Sequence, residues 1–111
     1  MMRSYVTEFI GTFGLVFAIG CAVMGGSQDA PLAIGAVLMV LVYAGGHISG
    51  AHYNPAITLD VYLRGKFPLR EVGPYWISQL AGACFAACSP GSGRRGRRFK
   101  SGRPAPPGSC R

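Results

Sequence analysis

Charged residues divide the first 93 positions of this chain into long apolar runs. Three runs carry no formal charge: residues 9–28, 30–59 and 72–93, with 20, 30 and 22 residues. A helix rises about 1.5 Å per residue, so about 20 residues cross the hydrocarbon core of a bilayer. The helices of a soluble bundle would carry charges on their wet faces. The pattern therefore predicts an all-α membrane protein with three transmembrane helices, at about residues 5–26, 31–47 and 69–88.

The second apolar run is too long for one crossing, and its composition changes near Gly45. From there it contains three glycines, two histidines and an Asn-Pro pair, which interrupt helices. Irregular backbone at membrane depth is tolerated only where protein buries it or where it faces a water-filled cavity. Asn54 suits a helix N-cap and Pro55 the first helical position, so a short helix should begin there. It is long enough for about half a bilayer, which predicts a re-entrant loop and half-helix over about residues 48–64.

This half-helix predicts a polar pathway. Its N-terminus carries partial positive charge, which repels cations. The side-chain oxygen of Asn54 can cap the helix while its NH₂ group donates to a passing molecule. The carbonyl groups of Gly50, Ala51 and His52, in non-helical backbone, can accept hydrogen bonds. Donors and acceptors together would replace the hydration of a small neutral molecule, whereas nothing would replace that of an ion.

The distribution of charge predicts the orientation in the membrane. Charged residues make up 14% of the chain, against about 25% in soluble proteins. Basic and acidic residues cancel over residues 1–93, so the whole net charge of +7 lies in residues 94–111. Arg3 precedes the first helix, and Arg64, Lys66 and Arg70 follow the second. The positive-inside rule then predicts a multi-pass protein of the plasma or bacterial inner membrane with a cytoplasmic N-terminus.

The last 23 residues, 89–111, consist mainly of Gly, Pro, Ser and Arg. Such a composition cannot bury a core and predicts disorder. One hypothesis makes this tail a polybasic arm for anionic lipid or nucleic acid. The predicted topology places it outside the cell, which argues against nucleic acid as a partner. A second hypothesis is that the tail is an out-of-frame continuation.

Other chemistries find little support in the sequence. His47 and His52 are five residues apart, which does not place them on one helical face. The four cysteines form no secreted disulfide framework, and three of them lie in apolar runs. There is no nucleophile–base pair and no phosphate-binding loop. We expect no enzyme, no metal site and no cofactor.

Three stretches carry a family resemblance. Residues 46–59, G-H-I-S-G-A-H-Y-N-P-A-I-T-L, resemble the first N-P-A box of the aquaporin and glycerol-channel family, the major intrinsic proteins. Residues 8–13, E-F-I-G-T-F, resemble its first helix, and residues 74–83, P-Y-W-I-S-Q-L-A-G-A, its third. The resemblance covers about residues 4–88.

The resemblance implies roles for individual residues. Asn54, Pro55 and Ala56 correspond to the signature at the middle of the pore, and the carbonyl group of His52 to its lining. Glu8 corresponds to a buried carboxylate that accepts hydrogen bonds from the re-entrant loop, the alternative being a residue at the membrane interface. Ile34 stands where water-selective members have an aromatic residue at the outer constriction. This difference leaves water, glycerol and other small uncharged solutes open.

The resemblance also implies a channel built from two inverted halves, of which this chain contains the first. We therefore expect an aquaporin-type chain that does not conduct by itself, with the lipid bilayer and small uncharged solutes as partners. A homo-oligomer, a tetramer by family resemblance, is implied as well. The alternatives are a small membrane protein that docks onto full-length channels and a lipid or nucleic-acid binder that acts through its tail.

Overall fold

The computed structural model describes residues 1–89, and this part of the chain is helical without strands. The all-α class predicted from the sequence is thereby confirmed. The prediction of a disordered tail falls, beyond Ser89, on residues outside the described range and stays a prediction. The four helices are α1 (Met2–Met24), α2 (Ala30–Ser49), α3 (Pro55–Leu63) and α4 (Leu69–Cys88).

Helix α1 is the central element of the fold. It packs against α2 and α4, while α3 packs against α4 and makes no contact with α2. The aromatic rings of Tyr5 and Tyr75 lie 5.7 Å apart, as do those of Phe9 and Phe85, so α1 and α4 run in the same direction. The hydroxyl group of Ser4 donates to the carbonyl oxygen of Ile48, so α2 runs the opposite way. The start of α1, the end of α2 and the start of α4 therefore lie at one end of the molecule.

The distribution of apolar side chains is that of a membrane protein. Large apolar residues such as Leu32, Tyr43 and Ile77 are 75%, 82% and 72% exposed, respectively. The largest fully buried side chains, by contrast, are the polar Gln79, Glu8 and Thr58. Both α1 and α2 are long and apolar enough to cross a membrane, whereas α4 begins with charged residues and is less apolar. An apolar exterior around a polar centre suits a protein surrounded by lipid.

Helix α2 extends further than the sequence suggested. The sequence predicts its end at about residue 47, within a glycine-rich stretch that begins at Gly45, but the helix continues to Ser49. Gly45 lies inside the helix because the Tyr53 side chain packs against it. A Cβ atom at Gly45, or at Gly11 on α1, would overlap that side chain. These glycines permit close approach of an aromatic residue rather than interrupting the helix. The helix ends at Gly50, whose φ of 85° is left-handed.

Candidate functional site

The segment between α2 and α3 has an unusual backbone conformation. Gly50 has a φ of 85°, and the two non-glycine residues Ala51 and Tyr53 have φ angles of 52° and 49°. A left-handed conformation costs an L-residue about 1–2 kcal/mol, so it persists only where the surroundings hold it. His52 and Tyr53 are buried nevertheless. The loop is thus held in a defined shape by contacts with the helices.

The carboxylate of Glu8 provides these contacts. It is fully buried on α1 and accepts four hydrogen bonds. One oxygen, Oε1, accepts from the hydroxyl of Ser49 at 2.7 Å and from the backbone N–H of His52 at 3.0 Å. The other, Oε2, accepts from the backbone N–H of Tyr53 at 2.6 Å and from Nε2 of Gln79 at 2.8 Å. Within residues 1–89 no Lys or Arg pairs with this carboxylate, so the four donors compensate its burial.

The same bonds orient the loop carbonyl groups. The N–H groups of Ala51, His52 and Tyr53 donate to the Ser49 hydroxyl, to Oε1 and to Oε2 of Glu8, respectively. In a planar trans peptide the C=O group points opposite to the N–H group of the next residue. The carbonyl groups of Ala51 and His52 therefore point away from Glu8, and that of Gly50 points away from the Ser49 hydroxyl. None of them accepts a hydrogen bond within residues 1–89, so they form a row of three free acceptors, here called the carbonyl row.

Helix α3 begins where the carbonyl row ends. Asn54 has extended backbone, and its Oδ1 atom accepts from the N–H of Ala56 at 2.9 Å. Pro55 is the first helical residue, and its carbonyl oxygen accepts from Nε1 of Trp76 on α4 at 3.1 Å. The exposed Asn54 uses its NH₂ group in no hydrogen bond within the described part of the chain. A free donor thus lies at the positive end of a nine-residue helix.

Several residues of this site were missed by the sequence reasoning. Nε2 of Gln79 lies between Glu8 and Thr58, donating to Oγ1 of Thr58 at 3.0 Å. That Oγ1 atom also lies 3.2 Å from Nδ1 of His52. The hydroxyl of Tyr75 donates to the carbonyl oxygen of Ser49 at 3.0 Å. Their signal in the sequence was the presence of uncharged polar side chains inside apolar runs, because a buried polar group requires a partner.

The imidazole ring of His52 lies inside the protein. It is in contact with the rings of Phe67 and Tyr75, at centroid distances of 5.2 and 5.4 Å. Its side chain therefore packs between the loop and α4, while its carbonyl group belongs to the carbonyl row. Only the backbone of His52 is available to a molecule passing along that row.

Ile34 is the one predicted site residue that the described helices do not bring to this loop. It is half-buried in the second turn of α2, about 24 Å along the helix from Gly50. Because α2 and α3 do not contact each other, nothing within residues 1–89 places Ile34 against Asn54. Its predicted position at an outer constriction stays a prediction.

The fold and the loop together define an all-helical membrane protein with a polar segment inside it. The family model described as Major intrinsic protein matches residues 1–89. The chain belongs to this family, whose members are channels and not enzymes, and the resemblance noted in the sequence is confirmed.

Curated relatives agree with this assignment. The chain is 44% identical over 94 residues to Aquaporin Z of Rhodopseudomonas palustris, which covers 77% of this chain and 39% of that protein. It is 40% identical over 97 residues to Aquaporin NIP1-2 of Arabidopsis thaliana. That alignment covers 79% of this chain and 33% of the relative. For Aquaporin Z of Brucella melitensis the identity is 38% over 96 residues, with coverage of 78% and 42%. The chain thus spans only 33% to 42% of the length of these relatives.

Proposed function

We propose that residues 1–88 form the first half of an aquaporin-type channel for water or small uncharged solutes such as glycerol. In this proposal α1, α2 and α4 cross the cell membrane, and residues 48–64 enter it as a re-entrant loop and half-helix. The observation that carries the proposal is the carbonyl row, which leads to the Asn54 NH₂ group at the start of α3. These groups replace the hydrogen bonds that a small molecule makes with water.

The arrangement favours neutral molecules over ions. A water or polyol molecule both donates and accepts, so it can donate to the carbonyl groups of Gly50, Ala51 and His52 and accept from Asn54. A cation would meet the positive end of α3, which is reinforced by the Asn54 NH₂ donor. An anion would be repelled by the partial negative charge of the three carbonyl oxygens. We assign Asn54, Pro55 and Ala56 to the middle of the pathway on this basis.

Ile34 is assigned to the outer constriction of the pathway. Its aliphatic side chain leaves an aperture of a different shape from that of an aromatic ring. Water, glycerol and other small uncharged solutes all remain candidates for the permeant molecule. A tetrameric assembly, implied by the family resemblance, is part of the same proposal.

Residues 1–88 supply one wall of such a pathway. The carbonyl row and the end of α3 are open on one side, and polar backbone that faces lipid is costly. We therefore propose that the chain conducts little by itself and that a second half completes the channel. The open carbonyl row also favours a second candidate function, a small membrane protein that docks onto a full-length channel.

The proposed topology predicts that position 29 lies outside the cell and position 66 inside. Single cysteines are introduced as Asp29→Cys and Lys66→Cys in a chain whose native cysteines are replaced by alanine. A membrane-impermeant maleimide added to intact cells should label the first variant, whereas the second should require permeabilised cells. The orientation is wrong if intact cells are labelled at position 66 and not at position 29.

The pathway itself is tested with a chimera of residues 1–88 and the remaining part of Aquaporin Z from Rhodopseudomonas palustris. We expect stopped-flow measurements on proteoliposomes to show water flux above the lipid background for the chimera, and little for the 111-residue chain. In the chimera, Asn54→Asp keeps the capping oxygen but loses the NH₂ donor and adds negative charge. It should fold, yet lose neutral-solute flux or admit cations.

Asn54→Ala is the matched variant in the same chimera. It loses the cap as well as the donor, which costs about 1 kcal/mol, so its folded yield should fall along with its flux. Folded yield, solute flux and cation conductance are measured in parallel. If both variants fold and conduct like the parent, Asn54 does not face the pathway.

A further inference from the structure

The carbonyl row and helix α3 are anchored to different helices. The row is held by hydrogen bonds of the loop N–H groups to Glu8 on α1 and to Ser49 at the end of α2. Helix α3 contacts α4 and no other helix within residues 1–89. Asn54 lies between the two anchors and has extended backbone. The distance from the carbonyl row to the Asn54 NH₂ group therefore depends on where α4 holds the start of α3.

Two hydrogen bonds from α4 hold α3. Nε1 of Trp76 donates to the carbonyl oxygen of Pro55 at 3.1 Å, and Nε2 of Gln79 donates to Oγ1 of Thr58 at 3.0 Å. The donors are three residues apart on α4 and the acceptors three residues apart on α3, so the bonds lie about one helical turn apart on each helix. Two contacts separated in this way fix the inclination of α3 against α4 as well as its distance.

The bond from Trp76 is the one that reaches the start of α3. The Gln79 side chain is fully buried and also donates to Glu8, so its bond belongs to the buried network around that carboxylate. The Trp76 bond ends instead at Pro55, the residue directly after Asn54. Within the described part of the chain, no other side chain of a helix outside α3 forms a hydrogen bond with residues 54–56.

The place of the acceptor indicates more than a satisfied indole group. In the proposed membrane placement the exposed ring of Trp76 faces a medium without water, where its N–H group needs some partner. A bond that only met this need would stabilise the protein without affecting the pathway. This bond, however, holds the first carbonyl group of the helix whose cap is Asn54. Its loss would leave the first turn with its local cap alone.

We propose that Trp76 is a positioning residue, whose indole N–H group fixes the first turn of α3 and thereby holds the Asn54 NH₂ donor in place at the end of the carbonyl row. This inference rests on the proposed channel function, in which one small molecule uses both the row and the donor. Without the bond, the first turn shifts and opens more often. The donor and the acceptors then fit a single molecule less well, so flux falls although the protein stays folded.

The test removes the donor and keeps the shape of the side chain. Benzothienylalanine, introduced at codon 76 by amber suppression, retains both fused rings and has sulfur in place of the N–H group. In the chimera with Aquaporin Z it should lower water flux per folded channel at least about twofold, and Trp76→Phe should do the same. Ile77→Phe is the matched control, because Ile77 is exposed on the same helix, and it should leave the flux unchanged.

Amide hydrogen exchange in the 111-residue chain gives a readout that does not depend on conduction. NMR spectra in detergent micelles follow the N–H of Ala56, which donates to Oδ1 of Asn54. Benzothienylalanine at position 76 should speed its exchange about fivefold, which corresponds to about 1 kcal/mol, the usual net contribution of one hydrogen bond. The N–H of Phe13 on α1 should exchange at its original rate. Unchanged exchange at Ala56 would overturn the inference.

The two proposals fail in different ways. A parent chimera that conducts, together with position-76 variants that conduct equally well, refutes the positioning role of Trp76 alone. A parent chimera without flux above the lipid background refutes the channel function, and the role of Trp76 in the pathway with it.

Discussion

Glu8→Gln is expected to destabilise the folded chain by about 2–6 kcal/mol. The carboxylate accepts four hydrogen bonds from buried donors. A glutamine amide keeps one acceptor oxygen and turns an NH₂ group toward two of those donors, each of which then loses its partner at a cost of about 1–3 kcal/mol. Unfolding in detergent micelles, followed by circular dichroism, measures the change.

Glu71→Gln is the control for this substitution. The half-buried carboxylate of Glu71 accepts one hydrogen bond, from the hydroxyl of Tyr5 at 2.6 Å. A glutamine oxygen can accept the same bond, so the cost should stay near or below about 1 kcal/mol. Equal stability losses at positions 8 and 71 would show that Glu8 does not hold the loop.

Gly82→Ala is expected to weaken the contact between α1 and α4. An added Cβ atom would overlap the carbonyl oxygen of Phe9 and lie 3.2 Å from the backbone nitrogen of Phe13. Backbone atoms cannot rotate away, so the helices must separate, at a cost of about 1–3 kcal/mol. The separation also disturbs the contact between the Phe9 and Phe85 rings. The same unfolding experiment should show a lower midpoint than for the parent chain.

Gly35→Ala is the control, at a helical glycine of α2. A Cβ atom there meets no heavy atom within 4 Å beyond its chain neighbours and the backbone of its own helix. Alanine is favoured over glycine in a helix by up to about 1 kcal/mol, so the midpoint should stay the same or rise. The two substitutions thus have opposite expected signs. If Gly82→Ala is as stable as Gly35→Ala, the close approach of α1 and α4 is not required for the fold.

Features that depend on neighbouring residues could be predicted from the sequence. Charge-free runs located the long helices, because burial of a helix in lipid needs an unbroken apolar segment. The start of α3 could also be predicted, because an N-cap hydrogen bond joins groups only two residues apart. Here the N–H of Ala56 donates to Oδ1 of Asn54. The family resemblance pointed to Glu8. None of these features required knowledge of which helices lie side by side.

The hydrogen bonds to Glu8 could not be predicted from the sequence, because they form between distant parts of the chain. Its side-chain donors, Ser49 and Gln79, are 41 and 71 residues away in the sequence. The direction of the carbonyl row follows from those bonds, so no local pattern could reveal it. The sequence predicts a helix breaker at Gly45, because no local pattern shows that the Tyr53 side chain packs against this glycine. Hydrophobic runs and caps are local, whereas hydrogen-bond partners and close approaches are created when α1, α2 and α4 come together.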